Sequence, residues 1–337
     1  MIDSKPTLSV VVIGRNEGAR LERCLKSVKA IRNWQGHIET IYVDSGSTDD
    51  SRTLARSLDC LVTEVHSDRP SAALGRNAGW RMAKAPLILF LDGDTILHPD
   101  FPVKAAAALT DPNIAAIFGR RREIRPEASF YNRVLDLDWI SRPGLCDYCG
   151  GDALIRRVAL EVVGGYDDTL IAGEEPDMCR RMRGLGYKIL HVDCEMTGHD
   201  LAIHHFSQYW RRAVRTGHAY AEVSARYAGT ELPAWTAESN ANVKRGGFWI
   251  AIPLLAIAAC IWLRNPLPLL VPIALLGILS VRSAQRSSWK STDRTALLLY
   301  GVHSHVQQVP ILIGQLGYWW DRRRGRRRRL IEYKEST

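Results

Sequence analysis

The chain has 337 residues, of which 46% are hydrophobic, and this composition supports a sizeable folded core rather than a disordered polymer. The formal net charge of +9 permits a nucleic-acid ligand, but no helix-turn-helix, zinc-finger or RNP pattern occurs, so we predict no nucleic-acid partner. The densest basic run, residues 322–329, follows apolar segments near the C-terminus, which favours an anionic membrane surface. Seven scattered cysteines predict free thiols in a reducing cytosolic setting.

Short apolar runs alternate with amphipathic stretches over the first hundred residues. A β-rich apolar run at residues 8–13 precedes a glycine-containing loop and an amphipathic stretch, which together predict a strand, loop and helix unit. The alternation continues through these predicted elements: helix 19–31, strand 38–44, helix 51–58, strand 61–65, helix 72–83 and strand 87–91. Such alternation predicts an α/β fold with a doubly wound, mostly parallel sheet, which binds ligands at the carboxyl ends of its strands.

Two carboxylates follow the last of these strands. Residues 87–91 have the length and apolarity of a strand covered on both faces, and Asp92-Gly93-Asp94 comes directly after them. Carboxylates are tolerated where a buried strand reaches solvent, and Mg²⁺ or Mn²⁺ takes one or two of them while phosphate oxygens and water complete its shell. The sequence therefore predicts a divalent-cation site for a nucleotide diphosphate, with an ordinary polar turn as the alternative.

Three polar loops that contain glycine lie at predicted strand ends, at residues 14–18, 44–50 and 92–95. Because parallel strands bring their carboxyl ends to one edge of a sheet, we expect these loops to converge on a single site. The first loop lacks the GxGxxG spacing of dinucleotide-binding folds, and no P-loop pattern is present. An NAD-dependent enzyme and a P-loop NTPase are therefore disfavoured.

Five motifs occur in order along the chain: Val11-Val12-Ile13-Gly14-Arg15-Asn16-Glu17, Val43-Asp44-Ser45-Gly46-Ser47-Thr48-Asp49, Gly75-Arg76-Asn77-Ala78-Gly79, Asp92-Gly93-Asp94 and Gly173-Glu174-Glu175-Pro176-Asp177-Met178-Cys179-Arg180-Arg181. In these motifs the chain resembles the family 2 glycosyltransferases, which are inverting, nucleotide-sugar-dependent enzymes of the GT-A fold. The resemblance runs from residue 8 to about residue 220, and it implies a GT-A catalytic domain over residues 1–235. Each motif is modest alone, but their order is specific.

The resemblance implies binding roles for residues of the first two loops. The acids that match Glu17 and Asp44 contact the nucleotide's base and ribose in the family, and Asn16 and the turn at Gly46 belong to the same loops. A helix N-terminal charge for Glu17 and an Asx-type cap for Asp44 are the interpretations that need no ligand.

The resemblance also implies residues for the metal and the diphosphate. Asp94, and Asp92 less directly, would hold the metal. Arg76 and Asn77 match a loop close to the diphosphate, with a solvated helix face as the alternative. His199 follows a predicted strand and is a candidate metal or diphosphate ligand, or else a structural histidine.

The pair Glu174-Glu175 is the second acidic feature, and the family uses the second acid of this pair as general base. In an inverting transfer, one carboxylate takes the proton of the acceptor hydroxyl while the anomeric carbon is attacked from the face opposite the diphosphate. Glu175 stands where aspartate is more usual, so the choice between the two acids stays open. Two acids that open a helix also serve simply as complements to its dipole.

Segments between and after these acids carry further expectations. Gly150-Gly151-Asp152 and Trp139 lie where acceptor contacts are expected, although a glycine-rich turn and a core tryptophan have the same appearance. Residues 207–212 loosely resemble the Gln-x-x-Arg-Trp element of processive synthases, but Trp and Arg stand in a different order. Processivity therefore stays open.

Two apolar stretches, residues 248–263 and 267–281, are separated by Arg264-Asn265-Pro266. Each falls slightly short of the ~20 residues that span a bilayer, so two spans, a re-entrant pair and a buried soluble hairpin all remain open. Basic residues flank both outer ends, and the positive-inside rule places these ends in the cytosol. Residues 296–320 predict an interfacial or re-entrant segment before the basic tail, within a membrane-associated region of residues 246–337.

These features predict an inverting glycosyltransferase at the cytoplasmic membrane, with its catalytic domain in the cytosol and Mg²⁺ or Mn²⁺ as cofactor. It would move a sugar from a nucleotide-diphosphate sugar to a lipid-linked or cell-surface glycan acceptor. Two alternatives remain: a nucleotidyltransferase with the same metal and nucleotide chemistry, and a noncatalytic membrane scaffold that retains the fold.

Overall fold

A computed structural model describes residues 5–326 and divides them into two compact units. The first unit comprises residues 5–124 and 141–201, and the second comprises residues 125–140 and 202–326. The predicted domain boundary at residue 235 stays a prediction, since these units reflect packing and not sequence families. Residues 327–329 of the predicted basic tail lie outside the described residues.

Strands and helices alternate regularly in the N-terminal part of the chain, and helices alone follow the last strand. The strands are β1 (Leu8–Gly14), β2 (Ile38–Asp44), β3 (Leu61–Glu64), β4 (Leu87–Asp92), β5 (Thr95–Leu97), β6 (Ile114–Glu123), β7 (Gly144–Cys146), β8 (Ala153–Arg156) and β9 (Lys188–His199). The helices are α1 (Ala19–Lys29), α2 (Ser51–Ser57), α3 (Ala72–Met82), α4 (Phe101–Ala107), α5 (Phe130–Asp138), α6 (Arg157–Val163), α7 (Glu174–Gly184), α8 (Phe206–Arg226), α9 (Thr236–Leu263), α10 (Leu270–Arg286), α11 (Arg294–Val306) and α12 (Gln308–Arg323).

The sheet of the first unit is parallel on one side and mixed on the other. Its strand order is β3-β2-β1-β4-β8-β6-β9-β5, and β7 also pairs with β9. Strands β1 to β4 pair in parallel, whereas β8 is antiparallel to both β4 and β6, and β9 pairs antiparallel with β5 and β7. Strands β6 and β9 also pair in parallel. The predicted α/β fold is confirmed, but the sheet is mixed and not mostly parallel, because β5, β7 and β8 pair antiparallel with their neighbours. The strand and helix alternation behind that prediction ends at Asp92.

Side chains of β1 alternate between two hydrophobic cores. Leu8, Val10 and Val12 face the core that includes α1, α2 and α4. Val11 and Ile13 face the core that includes α3, α6 and α7. A strand covered on both faces favours apolar residues at nearly every position, and β1 is apolar apart from Ser9, whose buried hydroxyl donates to Glu39 Oε1. The predicted helices on both faces of the sheet are therefore confirmed.

The carboxyl ends of β1, β2 and β4 lie side by side. Ile13 is paired with Asp92 of β4, and Gly14 is paired with Asp44 of β2. Because these registers bring three strand ends to one edge, the loops that follow them converge as predicted.

The second unit is helical, and it includes α5 although that helix lies between two strands in sequence. His303 of α11 is buried between the Tyr209 hydroxyl, 2.9 Å away, and Asp138 Oδ2, 3.1 Å away. This polar network ties α5 to α8 and α11. Within the motif at residues 207–212, Gln208 caps α8, because its Oε1 accepts hydrogen bonds from the backbone N–H groups of His204 and His205.

Two apolar helices of the second unit are largely exposed. An 18-residue apolar segment within Thr236–Leu263 has a mean hydropathy of 2.1 and one within Leu267–Arg286 has a mean hydropathy of 1.9, and only 11% of each segment is buried inside the protein. The core helix of a soluble protein is mostly buried, so the alternative of a buried soluble hairpin is disfavoured. Helix α9 begins well before residue 248, so the apolar arm continues a longer helix. The predicted interfacial segment consists of α11 and α12.

Candidate active site

Two acids and a histidine gather at the carboxyl edge of the sheet. Asp92 ends β4, Asp94 follows it, and His199 ends β9, where it pairs with Thr95. One ligand atom from each of Asp92, Asp94 and His199 lies within 4.8 Å of the others, and His199 Nε2 is 3.4 Å from Asp94 Oδ1. Two carboxylates and an imidazole suit a divalent cation, and the imidazole favours a transition metal such as Mn²⁺ over Mg²⁺.

Arg76 of α3 lies at the centre of the acids. Its Nη2 donates to Asp92 Oδ1 at 2.8 Å, and its Nη1 lies 3.0 Å from Glu174 Oε1 and 3.0 Å from Glu175 Oε1. The residue is only 2% exposed, so the alternative of a solvated helix face is wrong. One guanidinium therefore joins the predicted metal turn to both candidate bases.

A second arginine and a buried acid support the metal turn from the other side. Arg121 Nη2 is 3.5 Å from Asp92 Oδ2, and its Nη1 is 3.8 Å from Asp152 Oδ2. Asp152 Oδ1 accepts a hydrogen bond from the Asp92 backbone N–H at 3.0 Å, and its Oδ2 accepts one from the Thr197 hydroxyl at 2.8 Å. Burial raises the pKa of Asp152. Asp152 thus underlies the metal turn, and the acceptor contact expected near it stays a prediction.

Sequence reasoning missed Arg121. It lies near the end of β6, whose burial falls away at Arg120, and three consecutive arginines there were the available signal. Carboxylates outnumber guanidinium groups in this cluster. The acids are Asp92, Asp94, Asp152, Glu174 and Glu175, and the guanidinium groups are those of Arg76 and Arg121. An excess of negative charge on one side of the cluster is what a bound divalent cation would neutralise.

Glu174 and Glu175 open α7, and their environments differ. The Glu174 side chain is 6% exposed and accepts a hydrogen bond from Arg76, whereas the Glu175 side chain is 16% exposed. Burial first, and the neighbouring Glu174 carboxylate second, raise the pKa of Glu175 to about 7, although Arg76 acts in the opposite direction. Of the two acids, Glu175 is thus more accessible and has the proton affinity of a base that works at neutral pH.

The first two loops are tied together by hydrogen bonds. The Asn16 backbone N–H donates to Ser47 Oγ at 2.9 Å, and Asn16 Oδ1 accepts from the Thr48 backbone N–H at 2.7 Å. Asn16 has a φ of +54°, a left-handed conformation that asparagine tolerates better than most residues. Glu17 Oε2 lies 2.9 Å from Arg20 Nε, one turn along the chain. The loops therefore form one ordered surface at the strand ends.

Asp44 holds the second loop from inside. It is fully buried, and its Oδ1 accepts hydrogen bonds from the backbone N–H groups of Gly46 at 3.0 Å and Ser47 at 2.7 Å. Its Oδ2 accepts a hydrogen bond from the Tyr42 hydroxyl at 3.1 Å. These contacts fit the Asx-type interpretation, and a contact between Asp44 and a nucleotide stays a prediction.

Asn77 is buried in the first unit, and a diphosphate contact for Asn77 and an acceptor contact for Trp139 stay predictions. The buried Asn77 amide donates to the Tyr166 carbonyl at 2.8 Å and accepts hydrogen bonds from the Tyr166 N–H and the Trp80 indole N–H, both at 2.9 Å. Asn77 thus fixes the segment before α7. Trp139 belongs to the second unit.

Gly151 is packed against the acid cluster, and Gly151→Ala is expected to lower activity about 10²-fold, as misplacement of catalytic groups by about 1 Å does. A Cβ there would collide with Arg76 Nη2 and lie 3.2 Å from both Asp92 Oδ2 and Glu175 Oε1. Gly150→Ala is the matched control, since no atom lies within 4 Å of its added Cβ. Thermal melts first establish that both purified variants are folded, and their initial rates are then compared. Equal rates for Gly151→Ala and Gly150→Ala would contradict the prediction.

Residues 9–164 match the sequence model described as glycosyl transferase family 2. The chain is 22% identical over 201 residues to glycosyltransferase AglE of Haloferax volcanii, an alignment that covers 56% of this chain and 65% of AglE. It is 27% identical over 209 residues to the pre-mycofactocin glycosyltransferase of Mycobacterium tuberculosis, an alignment that covers 57% of this chain and 42% of that protein. The chain thus spans less than two thirds of the length of these relatives.

Solved structures share the fold. The mannosyltransferase PcManGT of Pyrobaculum calidifontis, in complex with GDP-Man and Mn²⁺, superposes with a TM-score of 0.59 at 19% identity, covering 94% of this chain and 88% of its own. Residues 1–349 of S. aureus TarS superpose with a TM-score of 0.51 at 13% identity, covering 95% and 92%. The fold, the family match and the named relatives agree with the motif pattern. Residues 9–164, a little under half of the chain, are therefore similar to glycosyl transferase family 2, and the chain shares the fold of solved glycosyltransferases.

Proposed function

We propose that this protein is an inverting glycosyltransferase that uses a nucleotide-diphosphate sugar and a divalent cation. The observation that carries this proposal is the juxtaposition of the group formed by Asp92, Asp94 and His199 with Glu175, joined through Arg76. A transferase of this type needs a cation site for the departing diphosphate and a separate base for the acceptor, and the cluster offers both.

Asp94 and His199 would hold the cation, while Asp92 shares its charge with two arginines. When bound, the cation neutralises charge on the departing diphosphate. PcManGT is described in complex with GDP-Man and Mn²⁺, which supports the same classes of ligand for this chain. The surface formed by Asn16, Glu17 and the loop that Asp44 holds would bind the nucleoside, since its backbone and carboxylate groups can pair with base and ribose.

Glu175 would take the proton from the acceptor hydroxyl as that oxygen attacks the anomeric carbon. A base with a pKa of about 7 is largely ionised just above neutral pH and still accepts a proton readily. Glu174 is the weaker candidate, because its side chain is less exposed than that of Glu175.

The test is to incubate the detergent-solubilised protein with Mn²⁺ or Mg²⁺ and a panel of nucleotide sugars, and to measure nucleoside diphosphate release with candidate acceptors. Metal-dependent release from one donor is the expected result. Release of pyrophosphate would instead identify a nucleotidyltransferase. An absence of both release and donor binding by calorimetry would favour the noncatalytic scaffold.

We further propose that the second unit anchors the protein in a membrane and that the acceptor is lipid-linked or part of a cell-surface glycan. The exposed apolar surfaces of α9 and α10 support this proposal, as do the basic residues Lys244, Arg245, Arg282 and Arg286 at the outer ends of the hairpin. This pattern favours cytosolic outer ends, and hence a catalytic unit on the cytosolic face. Trp319 and Trp320 of α12 are exposed beside Arg322 and Arg324, a composition typical of an interfacial helix.

Anchoring predicts that the full chain stays in the membrane pellet after alkaline carbonate extraction. A triple variant with Leu255, Ile261 and Ile273 changed to Glu is expected to move to the supernatant, since each charge costs about 3 kcal/mol near the bilayer centre. The matched control changes Leu61, Leu145 and Leu185, which are exposed leucines of the first unit, to Glu. Release of the unmodified chain by carbonate would count against an inserted anchor.

A further inference from the structure

A single buried guanidinium contacts acids that have two separate tasks in the proposed reaction. Arg76 pairs with Asp92 of the metal group and with Glu174 and Glu175 at the start of α7. We propose that Arg76 is the positioning residue that holds Glu175 in line with the metal turn, so that it acts on transfer through Glu175 and not through the donor. This inference rests on the proposed function and assigns a role within the same site.

The geometry uses both ends of the guanidinium. Nη2 donates to Asp92 Oδ1 at 2.8 Å, while Nη1 lies 3.0 Å from an oxygen of each glutamate. Asp92 leaves the end of β4 and the glutamates open α7, so these elements share no backbone connection near the site. A planar fork can bridge them, whereas the point charge of a lysine cannot reach both sides at once.

The residues packed around Arg76 fix the orientation of its guanidinium group. It is 2% exposed, its guanidinium lies 5.6 Å from the centre of the Tyr166 ring, and Gly151 leaves no room for a side chain beside Nη2. Tyr166 is itself fixed, because Asn77 binds its backbone and Phe90 packs edge-on to its ring. Because Arg76 is confined in this way, it holds Glu175 at a fixed position relative to Asp92.

Arg121 provides the matched comparison. It also faces Asp92, at 3.5 Å, but its second acid is Asp152 and not a glutamate of α7. If Arg76 acts through Glu175, only Arg76 is expected to be coupled to that residue. The two arginines thus separate support of the metal turn from support of the base.

The experiment is a double-mutant cycle with Arg76→Lys, Glu175→Gln and their combination, and the same cycle with Arg121→Lys. Single-turnover transfer with labelled donor gives the rates, and calorimetry with Mn²⁺ gives donor affinity. Arg76→Lys alone is expected to slow transfer about 100-fold while donor affinity changes less than about threefold, because groups that act as a unit are non-additive. In the Glu175→Gln background, the same change is expected to cost less than about threefold. Arg121→Lys is expected to cost the same factor in both backgrounds.

Equal costs of Arg76→Lys in both backgrounds would overturn the inference, as would a collapse of donor affinity with an unchanged transfer rate. Glu174→Gln is a second test that leaves Arg76 intact. The loss of transfer rate that it causes must likewise vanish in the Glu175→Gln background. Wild-type turnover in the donor assay tests the proposed function before any variant is measured. Additive factors in an active enzyme therefore overturn only the role of Arg76.

Discussion

Asp94→Asn is expected to lower the rate of nucleoside diphosphate release about 10³-fold or more, because charge stabilisation by a metal is worth several kcal/mol. The asparagine keeps the shape of the side chain but removes the charge that lies 3.4 Å from His199 Nε2. Asp94 is buried, so water has little access with which to replace the lost carboxylate as a ligand of the cation. We also expect the Mn²⁺ concentration for half-maximal rate to rise by about 100-fold, which a metal titration of the initial rate measures.

The control is Asp193→Asn on β9, the strand that also carries His199. Asp193 pairs with Arg120 at the surface, so its loss is expected to leave the rate within about twofold of the wild type. Calorimetric titration with Mn²⁺ alone separates metal binding from turnover. Wild-type Mn²⁺ affinity in Asp94→Asn would show that the cation binds elsewhere.

Glu175→Gln is expected to lower transfer by about 10²–10⁴-fold, which is the usual contribution of a general base. Donor affinity should change little, since Glu175 lies on the acceptor side of the proposed reaction. Glu174→Gln is expected to cause a smaller loss, because the Glu174 side chain is 6% exposed against 16% for Glu175 and is therefore less accessible to an acceptor. The reverse order of the two losses would identify Glu174 as the base.

The pH dependence follows from the raised pKa of Glu175, about 7. A base must be ionised to accept a proton, so kcat/KM is expected to fall about tenfold per pH unit below pH 7 and to level off above it. Glu175→Gln should lack this acidic limb. A wild-type profile that stays flat from pH 5 to pH 8 would contradict the assignment.

The contribution of Glu175 to folding stability changes with pH in the opposite direction to its contribution to activity. The folded-state pKa of Glu175 lies above the ordinary value of 4.5, so its contribution to stability is fully present below pH 4.5 and is lost as the pH rises through 7. Glutamine carries no charge that must be buried. Glu175→Gln is therefore expected to be at least as stable as the wild type at pH 8, where thermal melts can establish that its lost activity is not unfolding.

Local sequence was sufficient for much of the fold. Continuous apolar runs such as β1 and β4 predict strands covered on both faces, because alternate side chains must enter two cores. Parallel pairing then brings Asp44 and Asp92 to one edge without any knowledge of side-chain positions. These features depend on nearest neighbours along the chain and on the period of the strand, which a sequence records directly.

Tertiary structure decided the rest. The sequence by itself determined the resemblance to family 2 glycosyltransferases, the α/β fold, the acids at the strand ends and the apolar stretches near the C-terminus. Only the packed chain shows that Arg76 joins acids from β4 and α7, that Asp152 underlies the metal turn, and that α5 belongs with the C-terminal helices. Each of these contacts joins residues at least sixteen positions apart. The spacing of apolar and polar residues along the chain does not indicate which distant charged groups will pair when they are buried.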